Sequence, residues 1–378
     1  MKNGNKALSA LNGIRHFISK NLVMCIAFVV AVITSVIVPV DRQYIGYFDF
    51  KTLTCLFCVL AVVCALKNIK FFYILADKIV RVFKNAKMCV LALVYITFIG
   101  SMLIANDMAL LTFLPLGYYV LHTAGKERYM AFTFIMQNIA ANLGGMLTPF
   151  GNPQNLYLYS KFNIPIGEFT LIMLPPFLLA VALITVCCVI FVKPEPIELK
   201  DKPEKIDRKR TAAYLFLFAI AIIIVFNFIP YWIGMIFITL TLVVMDRKAL
   251  AAVDYPLLLT FVFFFIFAGN MARIDVIKDF FSSVLQINTL LFSVISCQFI
   301  SNVPSAILLS QFTSDYHSLL LGVNIGGVGT LIASLASLIT LRQYNTLNPG
   351  KTGRYIASFS AFNFSFLIVL TAFCMLLV

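Results

Sequence analysis

Apolar residues in this chain come in long blocks separated by short polar intervals. The blocks cover residues 22–40, 52–66, 88–123, 130–160, 168–192, 211–229, 231–245, 256–272, 288–312, 318–340 and 356–378. A helix needs about 20 apolar residues to cross a hydrocarbon core of roughly 30 Å. Runs such as Leu22–Val40, Thr211–Phe228 and Pro256–Ala272 approach that length almost without charge. The pattern predicts an all-α polytopic membrane protein. Block 88–123 is too long for one span and carries Asn106, Asp107 and Pro115 in its middle. Block 288–312 fits one span by length, but Ser301-Asn302-Val303-Pro304 interrupts its centre. Both read as re-entrant hairpins, two half-helices meeting at a polar tip, because non-helical backbone at membrane depth must be covered by protein or water.

Two further blocks carry the same interruption. Residues 138–156 read NIAANLGGMLTPFGNPQNL and residues 321–338 read LGVNIGGVGTLIASLASL, so Asn-x-Gly-Gly-x-x-Thr occurs twice, 182 positions apart. Gly, Pro and Asn are poor helix-interior residues. Blocks 130–160 and 318–340 therefore read as broken helices. Gly-Gly in a membrane helix is also a common close-packing contact. The second copy, and the Asn-bearing hairpin tip that accompanies each, favour the broken-helix reading.

Composition supports membrane residence. The 378 residues are 61% hydrophobic and 12% charged, with mean hydropathy +0.96. A soluble domain of this size could not hide that much apolar surface. The first apolar run follows a basic tail, but no A-x-A-like site follows it and Asp41-Arg42 reads as a plain loop, so it reads as a retained span. A net charge of +13 would suit nucleic acid only if the cations were clustered. They sit in short loops, which is the positive-inside signal. The nine cysteines are scattered through apolar runs without paired zinc spacing, so they read as small buried apolar residues. The Phe-rich run 261–269 reads as a lipid-facing or packing helix. His122 and His317 read as interface residues, and His16 lies in the N-terminal tail.

Charge also orders the topology. If both hairpins return to the side they enter from and the N-terminus is cytoplasmic, 24 of the 29 Lys and Arg fall in cytoplasmic loops. The exceptions are Arg42, Lys51, Lys161, Arg273 and Lys278. The C-terminus is then outside. The first hairpin enters from the cytoplasm and the second from outside, so the halves form two inverted repeats, each with a re-entrant hairpin and a broken helix. Residues 1–192 hold the first repeat and 193–210 a charged linker whose intervals, like 67–87, read as loops. Residues 211–378 hold the second repeat with one extra span. The matched positions are Asp49 with Asp254, Asn106 with Asn302, Asn142 with Asn324, Gly144 with Gly326, Gly145 with Gly327, Thr148 with Thr330, Asn152 with Ser334 and Asn155 with Ser337.

Inverted repeats with interrupted helices at the midplane are transporter architecture. A broken helix exposes free N–H groups at one new end and free C=O groups at the other. The first favour an anion and the second a cation. Asn, Ser and Thr add neutral hydrogen-bonding groups. Asp107 is the acidic residue expected deepest in the membrane, where a carboxylate marks a functional site. It carries a proton, binds sodium, or hydrogen-bonds the tip in protonated form. No Lys or Arg is expected inside a hairpin or broken helix, so an anion would rely on helix ends and amides.

At these residues the chain resembles the ion transporter superfamily. That group includes citrate and divalent-anion symporters, arsenite permeases and NhaD-type sodium/proton antiporters. SMLIANDMALLTFLPLG (101–117) and FISNVPSAILL (299–309) resemble its hairpin tips. LGGMLTPFGNPQN (143–155) and NIGGVGTLIASLAS (324–337) resemble its unwound segments. Ala105-Asn106-Asp107 departs from the Ser-Asn-Thr of the symporters and leans toward the permease and antiporter branches. Residues 333–337 lack the Pro-x-Asn of the first repeat. The resemblance implies an elevator-type cycle and a homodimer. It also implies a substrate and ion site drawn from Asn106, Asp107, Asn142, Gly144, Gly145, Thr148, Asn152, Asn155, Ser301, Asn302, Ser305, Asn324, Gly326, Gly327, Thr330, Ser334 and Ser337.

The expected function is ion-coupled transport of a small anion or oxyanion across the cytoplasmic membrane, with sodium or a proton as coupling ion and no other cofactor. The alternative is a sodium/proton antiporter using Asp107. No nucleic acid partner is expected. A channel would need a continuous polar pore, and an enzyme a nucleophile–base pair or metal cluster. ATP-driven transport would need a nucleotide motif, and Asn345 stands where the first Gly before Gly350-Lys351-Thr352 should be. The topology makes a direct prediction. In a Cys-free variant, single Cys probes at Lys126 and Pro203 should label only from the cytoplasm, and one at Asp315 only from outside. Labelling of position 126 from outside would overturn the hairpin reading.

Overall fold

The computed structural model describes residue 17 and residues 21–197 and 206–378. His16 and residues 198–205 of the expected linker lie outside the described residues. The described chain is nearly all helical. Its α-helices are α1 (Leu22–Ile37), α2 (Phe50–Asn68), α3 (Phe71–Val80), α4 (Ala86–Ile104), α5 (Asn106–Thr123), α6 (Met130–Gly144), α7 (Pro153–Lys161) and α8 (Ile166–Phe191). They continue as α9 (Arg208–Val225), α10 (Tyr231–Met245), α11 (Arg247–Ala251), α12 (Tyr255–Met271), α13 (Asp275–Ile300), α14 (Asn302–Leu309), α15 (Tyr316–Ile325), α16 (Leu335–Leu347) and α17 (Thr352–Cys374). Of these, α2, α4, α8, α13 and α17 are long and apolar enough to cross a membrane, and α1, α10 and α12 are shorter apolar helices. The chain is a multi-pass membrane protein.

Short polar side chains set many helix starts. Asp49 accepts from Thr52 N at 2.9 Å and so begins α2. Asn85 does the same for α4, and Asp254 for α12. Such caps satisfy N–H groups that a helix leaves without partners. In α13 the helix bends at Asn288, whose φ/ψ of −164°/96° is extended. Its side chain restarts the helix by accepting from Leu291 N at 2.7 Å.

The helices pack in an interlocked order. α4 and α5 form one close pair and α13 and α14 another, and each packs on the interrupted helix that follows it. The returning arm α5 also packs on α16, and α14 on α7. Each pair thus touches the second half of the other interrupted helix. Beside them, α1 lies along α12, and α2 along α9 and α10. The α1–α2 and α12–α13 loops are joined by Arg273, which donates to both oxygens of Asp41 at 3.1 and 2.7 Å. That bond holds the Asp41 carboxyl below the usual carboxylate range.

One interval differs from the sequence expectation. Residues 67–87 are not a plain loop, since they contain α3, which buries Phe72, Ile74, Ala76, Asp77 and Val80. With 10 residues it is too short to register as a span. The helix before the second tip, Asp275–Ile300, is divided at Asn288, the residue where the expected block begins. In the Phe-rich run, Phe261, Phe264 and Phe265 are buried, so α12 is a packing helix. All nine cysteines are free and most are buried. His122 stacks on Tyr118 at 5.2 Å and bonds Glu127 at the surface.

Glycine spacing generates a stability prediction. A Cβ on Gly144 would lie 2.2 Å from Phe98 O and 2.6 Å from Ser101 Oγ, and backbone cannot swing aside. A Cβ on Gly353, in α17, would meet nothing within 4 Å. Gly144→Ala should therefore lose about 1–3 kcal/mol through overpacking. Gly353→Ala should be neutral or gain up to about 1 kcal/mol. Thermal unfolding of the detergent-purified protein separates the two, and equal midpoints would refute the packing account.

Candidate functional site

The first interruption follows from its own residues. α6 ends at Gly144, Gly145–Leu147 forms a short turn, and α7 starts at Pro153. Pro suits that first position, where its missing N–H has no helical partner to lose. The freed carbonyls of Gly145, Met146 and Thr148 all accept from Asn155 Nδ2, at 3.2, 3.2 and 3.3 Å. Thr148 Oγ1 donates to Met102 O at 2.7 Å, which ties the break to α4. Asn152 Nδ2 donates to Asn142 O at 3.2 Å and to Asn324 Oδ1 at 3.4 Å. Asn324 in turn donates to Asn155 Oδ1 at 2.6 Å. A buried asparagine network thus joins the two interruptions.

The second interruption, between α15 and α16, is satisfied by Gln298. Its Nε2 donates to Gly326 O at 2.9 Å and Val328 O at 3.3 Å, and its Oε1 accepts from Thr330 N at 2.9 Å. Thr330 Oγ1 donates to Gln298 O at 2.9 Å. Gly329, at φ +125°, lies so close that a Cβ there would sit 2.1 Å from Gln298 Oε1. Ser334 caps α16, lies 3.0 Å from Ser337 Oγ, and Ser337 accepts from Asn138 at 3.4 Å. Ser305 meets Ser296 at 2.9 Å between the arms of its own pair. The glycine doublets divide two tasks. Gly144 and Gly326 pack against the hairpin arms at Phe98 and Cys297, while Gly145 and Gly327 face Asn152 and Asn302.

The two hairpin tips share a strained backbone. Ala105 adopts φ/ψ of 61°/150° and Ser301 74°/158°. That region is nearly reserved for glycine and costs about 1–3 kcal/mol. Long-range bonds hold the tips there. Asn106 Nδ2 donates to Asn142 Oδ1 at 3.2 Å, and Asn302 N donates to Ala333 O at 3.0 Å.

A cavity of about 130 Å³ lies where the tips meet the restarted helices. It has room for several waters or one small ligand. Its deep wall is Asn106, Pro153, Gln154, Asn302 and Pro304, all buried, while Asp107 and Ser301 are part-exposed and Asp254 and Arg342 stand exposed at the rim. The first residues of α5, α7, α14 and α16 all line it. Of these four, α5, α7 and α14 have no side-chain cap. Neither amide atom of Gln154 finds a partner among the described residues, nor does Asp107 Oδ1. Buried polar atoms of that kind call for an explanation.

Of the residues expected at the site, the cavity brings together Asn106, Asp107, Ser301 and Asn302. Asn142, Gly144, Gly145, Thr148, Asn152, Asn155, Ser305, Asn324, Gly326, Gly327, Thr330, Ser334 and Ser337 stand behind them as bonding and packing partners. One expectation is corrected. A cation does fall inside a broken helix, because α16 runs to Leu347 and carries Arg342 to the cavity. By sequence it follows the apolar block 318–340 and reads as part of a loop. Gln298 carries as its sequence signal a lone amide in an apolar run.

These features accompany a clear kinship. A family profile described as citrate transporter matches residues 8–315. An uncharacterized transporter of Methanocaldococcus jannaschii is 31% identical over 331 residues, covering 86% of this chain and 89% of its own. The inner membrane protein YbiR of Escherichia coli strain K12 is 27% identical over 285 residues, covering 73% of this chain and 74% of its own. The chain belongs to the citrate transporter family.

Proposed function

We propose that the protein is an ion-coupled secondary transporter of a small citrate-like anion, and that the cavity between the tips is its site. The observation that carries this reading is the convergence of the four helix starts on one small cavity with Arg342 at its rim. Helix starts turn the positive end of the helix dipole toward the cavity, which favours an anion. Asp107, with the rim carboxylate of Asp254, supplies the opposite sign. A proton or sodium on Asp107 cancels a carboxylate that would otherwise repel the anion, and so reduces the net charge the loaded site carries. That matters because carrying an uncompensated charge through hydrocarbon is costly. The repeat matches and the interlocked arms support two inverted halves, 1–192 and 211–378, moving in an elevator-type cycle within a homodimer. With the N-terminus cytoplasmic, the rim of the cavity faces the cytoplasm.

A second reading is favoured by the two carboxylates on one cavity. In a sodium/proton antiporter, Asp107 would exchange the two cations and no anion would move.

Proteoliposome flux separates these readings. Arg342→Gln should weaken anion capture about fivefold, with the loss shrinking as salt screens the rim charge. Unchanged anion uptake across ionic strengths would remove Arg342 from the site. Detectable sodium-driven proton flux without any anion, in a protein that no citrate, dicarboxylate, arsenite, phosphate or sulfate stabilises thermally, would replace the first reading with the second.

Asp107→Asn tests the coupling ion. Asn mimics the protonated carboxyl in shape. If Asp107 carries the proton, the variant should lose pH-gradient dependence while exchange under equal gradients survives. If it binds sodium, the variant should instead need more sodium for half-maximal transport, with its pH dependence intact. Wild-type behaviour in both assays would make Asp107 a structural group.

A further inference from the structure

A second cleft, of about 800 Å³, opens between the start of α6, the end of α8, the end of α16 and the start of α17. It shares no lining residue with the central cavity. Its chemistry is layered. Arg128, Lys351 and Arg354 are exposed at its mouth. Its one acidic lining residue, Glu127, is already bonded to His122 at 3.0 Å. Arg128 pairs with Glu195. Neither Lys351 nor Arg354 has an ion pair among the described residues.

The floor is aromatic. Phe132, Phe191 and Phe362, from three helices, touch one another at ring distances of 5.2–5.5 Å. Phe191 is 53% exposed, so this apolar surface continues onto the outside of α8. Between mouth and floor, Tyr344 and Tyr355 stack at 4.1 Å. Tyr355 is 1% exposed, and its hydroxyl has no partner among the described residues. A buried hydroxyl without a bond is costly unless something supplies one. The α17 start beside it lacks a side-chain cap.

We propose that this cleft binds an anionic phospholipid. The phosphate sits among Lys351, Arg354 and Arg128, and an acyl chain lies on the three phenylalanines. Charge selects an anion, since the cations outnumber the single engaged acid. The floor selects a lipid, because a soluble anion gains nothing from exposed phenylalanine. Basic pockets between membrane helices are suited to anionic headgroups for the same reason. This site is independent of the transport reading.

Native mass spectrometry of the delipidated full-length protein tests it, using phosphatidylglycerol and phosphatidylcholine with identical chains. The wild type should retain phosphatidylglycerol and release phosphatidylcholine. The paired substitution Lys351→Gln/Arg354→Gln, on exposed positions, should weaken retention about fivefold per cation. Ser358→Trp, which fills the cleft and keeps its charges, should also release the lipid. Lys84→Gln/Lys248→Gln, cations elsewhere on the protein, should leave retention unchanged. Equal retention of phosphatidylcholine would overturn the role of charge. Competition by glycerol phosphate as strong as by phosphatidylglycerol would make the ligand a soluble anion. Loss of a dimer in the Lys351/Arg354 variant with lipid retention intact would make the cleft a contact between copies, and would equally overturn the proposal.

Discussion

Every backbone N–H and C=O that a broken helix frees must find a partner inside the protein, because hydrocarbon offers none. This constraint organises the molecule. The first interruption is satisfied from its own downstream half, where Asn155 takes three carbonyls. The second is satisfied from the neighbouring hairpin arm, where Gln298 takes two carbonyls and one N–H. The difference has a mechanical consequence. The second break is bound to its hairpin by a multipoint amide clasp together with Thr330, while the first is bound to its own through Thr148 and the Asn106–Asn142 pair. Hairpin and broken helix are therefore one hydrogen-bonded body in each half. The Asn152–Asn324–Asn155 links fasten the two bodies together.

Carbonyl ends and N–H ends are treated differently. The freed carbonyls are consumed by side-chain amides behind the cavity wall. At the cavity, α7 starts without a side-chain cap, and α5 and α14 are bonded only by their own first residues, Asn106 and Asn302, which accept from Asp107 N and Val303 N. Elsewhere, Asp49, Asn85 and Asp315 cap helix starts in the usual way. The residual polarity of the breaks is thus displayed with one sign toward the cavity. Arg342 adds to that sign, and Asp107 and Asp254 oppose it. Arg342 and Asp254 stand at the mouth, and Asp107 keeps one buried oxygen without a partner among the described residues.

Hydrophobic blocks and their interruptions were legible in the sequence because both rest on strong local physics. The helix ends at Gly144, Ile325, Pro153 and Leu335 fall within the expected broken blocks, where Gly, Pro and Asn cluster. Short or amphipathic elements were not legible. α3 has too few residues to look like a span, and α13 hides a bend at Asn288 within one helix. Arg342 was obscured by its neighbours, since a charge after an apolar block reads as loop until the helix is seen to continue. Gln298 and Gln154 carry no local signature. Their roles depend on which carbonyls or cavity lie opposite, and that is decided by packing between segments far apart in sequence.

The tips show the limit of local reading most clearly. Nothing about alanine or serine favours the conformation of Ala105 and Ser301, and a sequence reader expects glycine where φ is positive. Both tips adopt it, and both are followed by an asparagine whose side chain accepts from the next backbone N–H, at 2.9 Å in each case. Each asparagine closes its own tip locally, while bonds to Asn142 and Ala333 hold the tip from outside. Strain of this kind persists only where the surroundings over-determine it. Here the surroundings are the broken helices. The geometry that Asn106, Asp107 and Asn302 present to the cavity is therefore set by residues that do not touch it.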